Sequence, residues 1–406
     1  MFRCFASSRI PKDFPPLRRL QSATEPTRRA RSGLTGRYVR YQYRKRLRRH
    51  NRTICRAEGS EIEVRAVLAG CGAMSRAWLE AARQIEGLEV VGLADLAPGR
   101  ARGRAEEFGL AGAEIGTDVP ALLDRLQPDI LFDVVVPPAR REVVLAAFAR
   151  GCHVLSEKPM ADSLAAAREL VAAAKEAGRL HAIVQNRRYI PGIRRLRRAV
   201  ESGLIGELTG VHCDFFVGPH FGGFREEMQH VLLLDMAIHT LDAARLVAGR
   251  RPLAVYCHES NPAGSWYAHG AAANAIFELE GGAVLTYRGS WCAEGLRTSW
   301  ESAWRLTGTK GSLSWDGAEA FSAEVATDRR DGLFFEPEAV EVPPVDPADR
   351  TGGHLGVIRD FVGAIRAGAE PETVGHQNFH SLAMVFAAIE SARQGRRVAI
   401  QTIEEP

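Results

Sequence analysis

Three groups of residues in this chain have types and spacings that can do chemistry. The first is a lysine, Lys158, in the stretch His153-Val154-Leu155-Ser156-Glu157-Lys158-Pro159. His153 to Ser156 reads as a short strand after the helix-stopping Gly151. Pro159 ends the ladder, because proline donates no N–H and restricts the residue before it. Lys158 is thereby placed at the carboxyl rim of a sheet, where open α/β sheets bind ligands. An ammonium there can hydrogen-bond a substrate oxygen and stabilise the charge that grows as an alcohol loses its proton. The plainer alternative is a surface lysine capping the next helix.

The second group is Leu232-Leu233-Leu234-Asp235-Met236-Ala237-Ile238-His239. Asp235 and His239 are four apart and share one face of a helix. A carboxylate beside an imidazole fixes its tautomer and raises its basicity, which suits a general base near neutral pH. A helix-surface ion pair is the bland alternative. A two-histidine, one-carboxylate metal set of His230, Asp235 and His239 ranks lower, because the five-residue offset turns His230 partly away. No metal is expected.

The third group is Gly70-x-Gly72-x-x-Ser75, which follows the buried strand Val64 to Ala69 and precedes a helical run from about Arg76 to Ile85. Gly70 permits a tight turn, and Gly72 lets the backbone approach a pyrophosphate at the helix N-terminus. Ser75 stands where a third glycine is usual. A second strand, Glu89 to Asp95, ends in a carboxylate about 20 residues on. Asp95 would accept hydrogen bonds from the adenosine ribose and repel a 2′-phosphate. Leu96 and Ala97 follow it, which favours NAD over NADP, while Arg100 and Arg102 weigh the other way. The alternative is a glycine turn with no cofactor.

The elements that must position these residues alternate from Glu61 to about Asn186. Helices are predicted at about 98–108, 119–126, 140–150 and 163–175. Strands are predicted at 130–136 and 180–184. Such alternation implies a parallel, doubly wound Rossmann sheet over residues 61–186. After Gln185 a basic helix, 193–201, leads to a strand at 210–217 and a helix at about 232–247. Short β-like runs follow at 253–258, 273–279, 283–291, 301–307 and 312–315, with Glu280-Gly281-Gly282 as a hairpin turn. Two helices close the chain, at about 357–367 and 379–394. Residues 187–406 therefore read as an α+β domain with a largely antiparallel sheet.

The 406 residues suffice for two cores. A 46% hydrophobic and 25% charged composition is that of a globular protein. No apolar run reaches the ~18 residues that span a membrane. The 7 cysteines are scattered with no C-x-x-C pair, which suits free thiols and a reducing cytoplasm. The net charge of +4 is uneven. Residues 1–57 hold 17 basic against 2 acidic side chains, a net +15, which leaves −11 on the remainder. Residues 1–60 thus read as a basic disordered segment. Three origins compete: a polyanion-binding arm, an organellar transit peptide, or a translated upstream region from a misassigned start codon. The last is preferred. The acidic body gives no sign of wanting nucleic acid or a membrane surface.

Taken together, these features resemble the glucose–fructose oxidoreductase / inositol dehydrogenase family (Gfo/Idh/MocA) over roughly residues 62–403. The likeness rests on Gly70-x-Gly72, Glu157-Lys158-Pro159, Asp235-x-x-x-His239, Glu201-Ser202-Gly203-Leu204-Ile205-Gly206-Glu207 and Ala388-Ile389-Glu390-Ser391-Ala392. By this resemblance Lys158 touches both nicotinamide and substrate, His239 accepts the proton, and Asp235 is its partner. The expected cofactor contacts are Gly70, Gly72, Ala73, Met74, Asp95, Pro137, Glu157 and Lys158. The expected substrate contacts are Lys158, Tyr189, Arg225, Asp235 and His239. Family substrates are usually sugars, inositols and their derivatives, and the C-terminal sheet usually builds a homo-oligomer. The chain departs at Pro137-Pro138-Ala139-Arg140-Arg141, where Arg141 stands in place of a frequent histidine, and at Ala237, where glycine is usual. Arg187, Arg188, Tyr189, His220, Arg225, Trp291, Trp300 and Trp304 are candidates for a pocket wall suited to polyols or sugar acids. For the tryptophans, sheet core or subunit contact is the first reading.

The expectation is an NAD(P)-dependent oxidoreductase acting on a secondary hydroxyl of a sugar, polyol or inositol-like substrate. A family member that holds NAD tightly with no net redox, and a dinucleotide-binding regulatory protein, are the alternatives.

Overall fold

Near-continuous apolar strands need cover on both faces, and six of them form the first sheet. They are β1 (Val64–Ala69), β2 (Leu88–Ala94), β3 (Glu114–Gly116), β4 (Ile130–Asp133), β5 (His153–Ser156) and β6 (His181–Ile183). All pair in parallel, in the order β3-β2-β1-β4-β5-β6. Helices α1 (Ser75–Ala82), α2 (Pro98–Glu107), α3 (Val119–Leu126), α4 (Pro137–Phe148) and α5 (Leu164–Ala177) alternate with them. The order reverses between β1 and β4, which makes their carboxyl ends the ligand crevice of a doubly wound sheet. The computed structural model describes residues 63–403. The basic segment of residues 1–60, with the expectations attached to it, lies outside the described residues.

Local chemistry sets the helix ends. The Asp118 side chain accepts from the Ala121 N–H and Ser163 from the Ala166 N–H, caps worth about 1 kcal/mol each. Gly178, at φ +62°, closes α5 in the left-handed conformation. The strand expected over 130–136 stops at Asp133, and α4 starts at Pro137, three residues earlier than expected. Proline at the first helical position gives up only an N–H that would be unpaired anyway.

The second sheet has nine strands: β7 (Leu208–Phe216), β8 (Pro252–Ser260), β9 (Ala272–Leu279), β10 (Val284–Ser290), β11 (Ala303–Gly308), β12 (Gly311–Trp315), β13 (Phe321–Asp331), β14 (Phe334–Ala339) and β15 (Val398–Ala399). Their order is β14-β13-β12-β11-β7-β10-β9-β8-β15, antiparallel except for β7 and β10. Burial alternates along β9, so one face is packed and the other is open. Helices α6 (Pro191–Glu201), α7 (Ile238–Ala248), α8 (His354–Ala367) and α9 (Gly375–Gln394) complete the fold, with α9 against β8. Strands β13 and β14 were not expected from sequence, because they are mostly polar and exposed. The helix expected from Leu232 begins instead as a π-helix, Leu232–Ala237, and becomes α-helical only at Ile238. Both sheets belong to one compact unit. No helix among the described residues is long and apolar enough to cross a membrane.

Candidate active site

The glycine turn after β1 is shaped as a cradle. Gly70 sits at φ +94°, and a Cβ on it would meet the Val134 carbonyl oxygen at 2.5 Å. Above Gly72 the space is open, with nothing within 4 Å of the same construction. Gly72, Ala73 and Met74 are exposed between buried Cys71 and buried Ser75. The Ser75 hydroxyl donates to the Gly72 carbonyl at 2.6 Å, so the serine closes the turn. Asp95 accepts from the Cys71 N–H at 2.9 Å and from the Ala97 N–H at 2.8 Å. Its oxygens keep lone pairs for ribose hydroxyls. Burial, helped by Asp95, pushes the Cys71 thiol up to about 12, so it stays protonated. Arg100 and Arg102 point to solvent on α2, whereas Arg104 donates to the Gly72 carbonyl at 3.1 Å. Met74, Leu96 and Val136 follow β1, β2 and β4 and leave apolar surface exposed at this edge. An open backbone cradle, a ribose acceptor and flanking apolar surface fit a dinucleotide.

Lys158 is reached by a second set of contacts. Glu157 is buried, with Oε1 accepting from the Trp78 indole N–H at 2.7 Å and Oε2 accepting from the Lys158 N–H at 3.1 Å. Beneath the turn lies a buried guanidinium. Arg140 donates to Asp133 Oδ2 at 2.8 Å, to the Val135 carbonyl at 2.6 Å, and to the Pro159 carbonyl. It therefore ties the end of β4 to the lysine turn, with Pro137 heading α4 alongside. Arg141, the expected substitute for the family histidine, faces outward and forms a two-fold ion pair with Glu169 at 2.6 Å. The arginine that serves the site is its neighbour.

Asp235 comes from the other sheet's side and meets Lys158. The ammonium donates to Asp235 Oδ1 at 3.0 Å and to the Asp235 carbonyl at 2.7 Å, while Arg225 Nε donates to Oδ2 at 2.8 Å. Burial would raise this carboxyl, but Lys158 and Arg225 outweigh it and hold it below its usual value. The expected pairing of Asp235 with His239 is not made. Both carboxylate oxygens are taken by cations, Oδ1 by Lys158 and Oδ2 by Arg225. His239 is buried, its Nδ1 has no partner, and burial, with Lys158, Arg187 and His354 adding to it, holds it well below its usual value. It is a neutral imidazole at neutral pH. His230 pairs with Glu259 at 2.5 Å, and among the described residues no group of three metal-ligating side chains converges.

The remaining candidates divide. Arg187 pairs with Glu301, whose carboxyl burial pushes up, and whose Oε2 has no partner. His354 lies 3.9 Å from Glu157, held there by Gly352 and Gly353 N–H groups donating to the Tyr189 carbonyl. Neither Glu301 nor His354 carries a sequence signal: each joins the site from more than a hundred residues beyond Lys158. Tyr189 was expected to touch substrate, yet it is fully buried with its hydroxyl on Asp360 at 2.7 Å. Arg188 is likewise committed to buried Asp242, at 2.5 and 2.9 Å. Trp291 and Trp304 are core, Trp300 is exposed, and His220 stacks on Trp266 at 3.7 Å.

A Rossmann sheet whose rim lysine meets an aspartate from a helix packed on a second, mixed sheet defines a dinucleotide-dependent oxidoreductase architecture. Residues 64–185 match the family model described as "Oxidoreductase family, NAD-binding Rossmann fold", and residues 193–314 match the GFO/IDH/MocA C-terminal domain. The chain belongs to the Gfo/Idh/MocA oxidoreductase family. It is 29% identical over 355 residues to a D-apiose dehydrogenase of Paraburkholderia graminis, covering 84% of this chain and 90% of that one. It is 27% identical over 343 residues to a 1,5-anhydro-D-fructose reductase of Ensifer adhaerens, covering 82% and 98%. Its fold is also that of an Agrobacterium radiobacter oxidoreductase solved with NAD+, L-tartaric acid and magnesium, with a TM-score of 0.73, 22% identity, and coverage of 83% and 98%.

Proposed function

We propose that this protein oxidises a secondary hydroxyl of a sugar, polyol or inositol-like substrate with NAD. The observation that carries the reading is the convergence of Lys158, Asp235 and neutral His239 across the two sheets. Gly70, Gly72, Ala73 and Met74 would hold the pyrophosphate, Asp95 the ribose, and Pro137, Glu157 and Lys158 the nicotinamide end. When bound, the nicotinamide supplies the hydride acceptor. The chain's own work is proton handling and orientation. His239 is unprotonated at neutral pH, so a ring nitrogen can accept the hydroxyl proton. The Lys158 ammonium gives two donors to Asp235 and keeps its third for the substrate oxygen, which it stabilises as its proton leaves. Asp235 orients Lys158 and Arg225 in this reading, instead of tuning His239.

The Asp95 carboxylate at the ribose position supports NAD over NADP. Homo-oligomer formation through the open face of the second sheet is part of the same proposal. That face carries a hollow of about 680 Å³ lined by residues including His212, Tyr256, Ile276, Arg288 and Arg305. The decisive experiment is a panel of sugars, polyols and inositols followed at the NADH absorbance band. Expected is NADH release with at least one substrate class, lost in His239→Asn. Substrate conversion without NADH release would instead indicate a tightly held NAD that is recycled. Dinucleotide binding with no turnover of any substrate would indicate a regulatory protein.

A further inference from the structure

We propose that an aromatic rim beside the charged centre is an outer subsite for a second ring, so that the substrate is a glycoside and not a free monosaccharide. This rests on the oxidoreductase reading above. Lys158, Asp235, His239, Arg187 and Glu301 already offer the mixed donors and acceptors that one polyhydroxylated ring needs. Three large aromatic side chains nearby are left over by that account. Phe221 is 53% exposed, Phe224 71% and Trp300 45%.

These rings are organised. Gly222 and Gly223, at φ +66° and +72°, make a tight turn that brings both flanking phenylalanines to one guanidinium. Arg225 lies 5.1 Å from the Phe221 ring centre and 4.9 Å from that of Phe224. Phe221 is 6.4 Å from Trp300 and 5.9 Å from Trp291. Buried Trp291 braces Trp300 edge-on at 5.7 Å. The same Arg225 donates to Asp235 at 2.8 Å, so the rim joins the reacting centre through a single residue. Clustered exposure of large aromatic rings marks a binding surface. Direct continuity with the charged pocket argues for a ring carried by the substrate itself. Either a sugar ring, through its C–H face, or an aromatic aglycone has the flat apolar surface to stack there.

The test uses the full-length protein with NAD and four ligands: a hexose, its methyl glycoside, its phenyl glycoside and a disaccharide. Expected is a kcat/KM about tenfold or more higher for the two-ring ligands than for the methyl glycoside, as ring stacking supplies. Phe221→Ala and Trp300→Ala should bring that ratio toward one. Preference for the phenyl glycoside alone assigns the rim to an aglycone, and preference for the disaccharide assigns it to sugar. A wild-type ratio of one, or a ratio that neither variant moves, overturns the proposal. Should no ligand be oxidised, the oxidoreductase reading fails, and calorimetric titration of the same ligands still decides the subsite. Two-ring binding that weakens in both variants supports it, and equal binding of one- and two-ring ligands overturns it. Variants that change only particle size in light scattering would show the rim to be a contact between copies, which also overturns it.

Discussion

Asp133 and Asp235 both face a cation at the rim of the parallel sheet, but water reaches only one of them. Asp133 and Arg140 are fully buried, and the guanidinium spends its fork on one carboxylate and two carbonyls. Burial raises the Asp133 carboxyl despite that partner. Asp235 sits between Lys158 and Arg225, all three part-exposed, and its carboxyl is lowered. The difference separates two uses of charge. The closed pair is out of reach of solvent and substrate and fixes where the lysine turn lies relative to β4. The open chain keeps donors free at the surface of the crevice, where a substrate can take them.

Removing the closed pair's cation should have the largest effect. Arg140→Ala would strand the Asp133 charge and untie Val135 from Pro159, at a cost of about 3–5 kcal/mol in urea unfolding. Burial already raises the Asp133 carboxyl and Arg140 holds it down, so loss of Arg140 raises it further. The damage should grow as pH rises through the wild-type folded value, above the unfolded value of about 4, and vanish below it. Wild-type stability of Arg140→Ala at neutral pH would remove the contrast between the two pairs. Lys158→Ala should do the opposite. Turnover should fall by about a hundredfold or more while the melting temperature stays within a few degrees, because Arg225 still pairs Asp235. Near-normal turnover would make Lys158 structural.

The contrast extends to the imidazoles beside each pair. Burial lowers His181, which faces Arg140, to about 3, and holds His239 beside Lys158 well below its usual range. His153 is lowered to about 4, again by burial first. A depressed histidine means that the unfolded chain takes the proton first. Stability from these groups is therefore complete above about pH 6.5 and is lost as pH falls toward 4 and 3, by about 1.4 kcal/mol per pH unit for each proton taken up. Unfolding midpoints across pH 4–8 would test this, and a flat profile would refute it. The smallest effect falls on a third rim carboxylate. Asp95→Ala should narrow the preference for NAD over NADP by about tenfold, measured as the ratio of dissociation constants. An unchanged ratio would leave Asp95 only its contacts to Cys71 and Ala97.

Much of the first sheet was legible because buried parallel strands, glycine turns and proline-led helices each leave a strong local mark. The same marks place Lys158, Gly72 and Asp95 at the carboxyl ends of strands. The misses share a cause: letters do not carry environment. Arg140 and Arg141 are adjacent and identical, yet one is buried under the site and the other is on the surface. Tyr189 reads as a pocket residue until its hydroxyl is seen on Asp360, 171 residues away. His354 and Glu301 reach the site only through long-range packing. Strand β13 alternates only over its first half, Phe321 to Val325, and β14 not at all, because little of either is buried.

The π winding of Leu232–Ala237 also has a meaning for lineage. A π turn is in effect an extra residue accommodated inside an α-helix. Deleting one residue just ahead of Asp235 would let the ordinary ladder close and swing the carboxylate by about 100°. A descendant with that deletion would still spell Asp-x-x-x-His, letter for letter. It would have lost the bridge between its two sheets all the same, because the contact depends on the length of a helix as well as on the identities of Asp235 and Lys158.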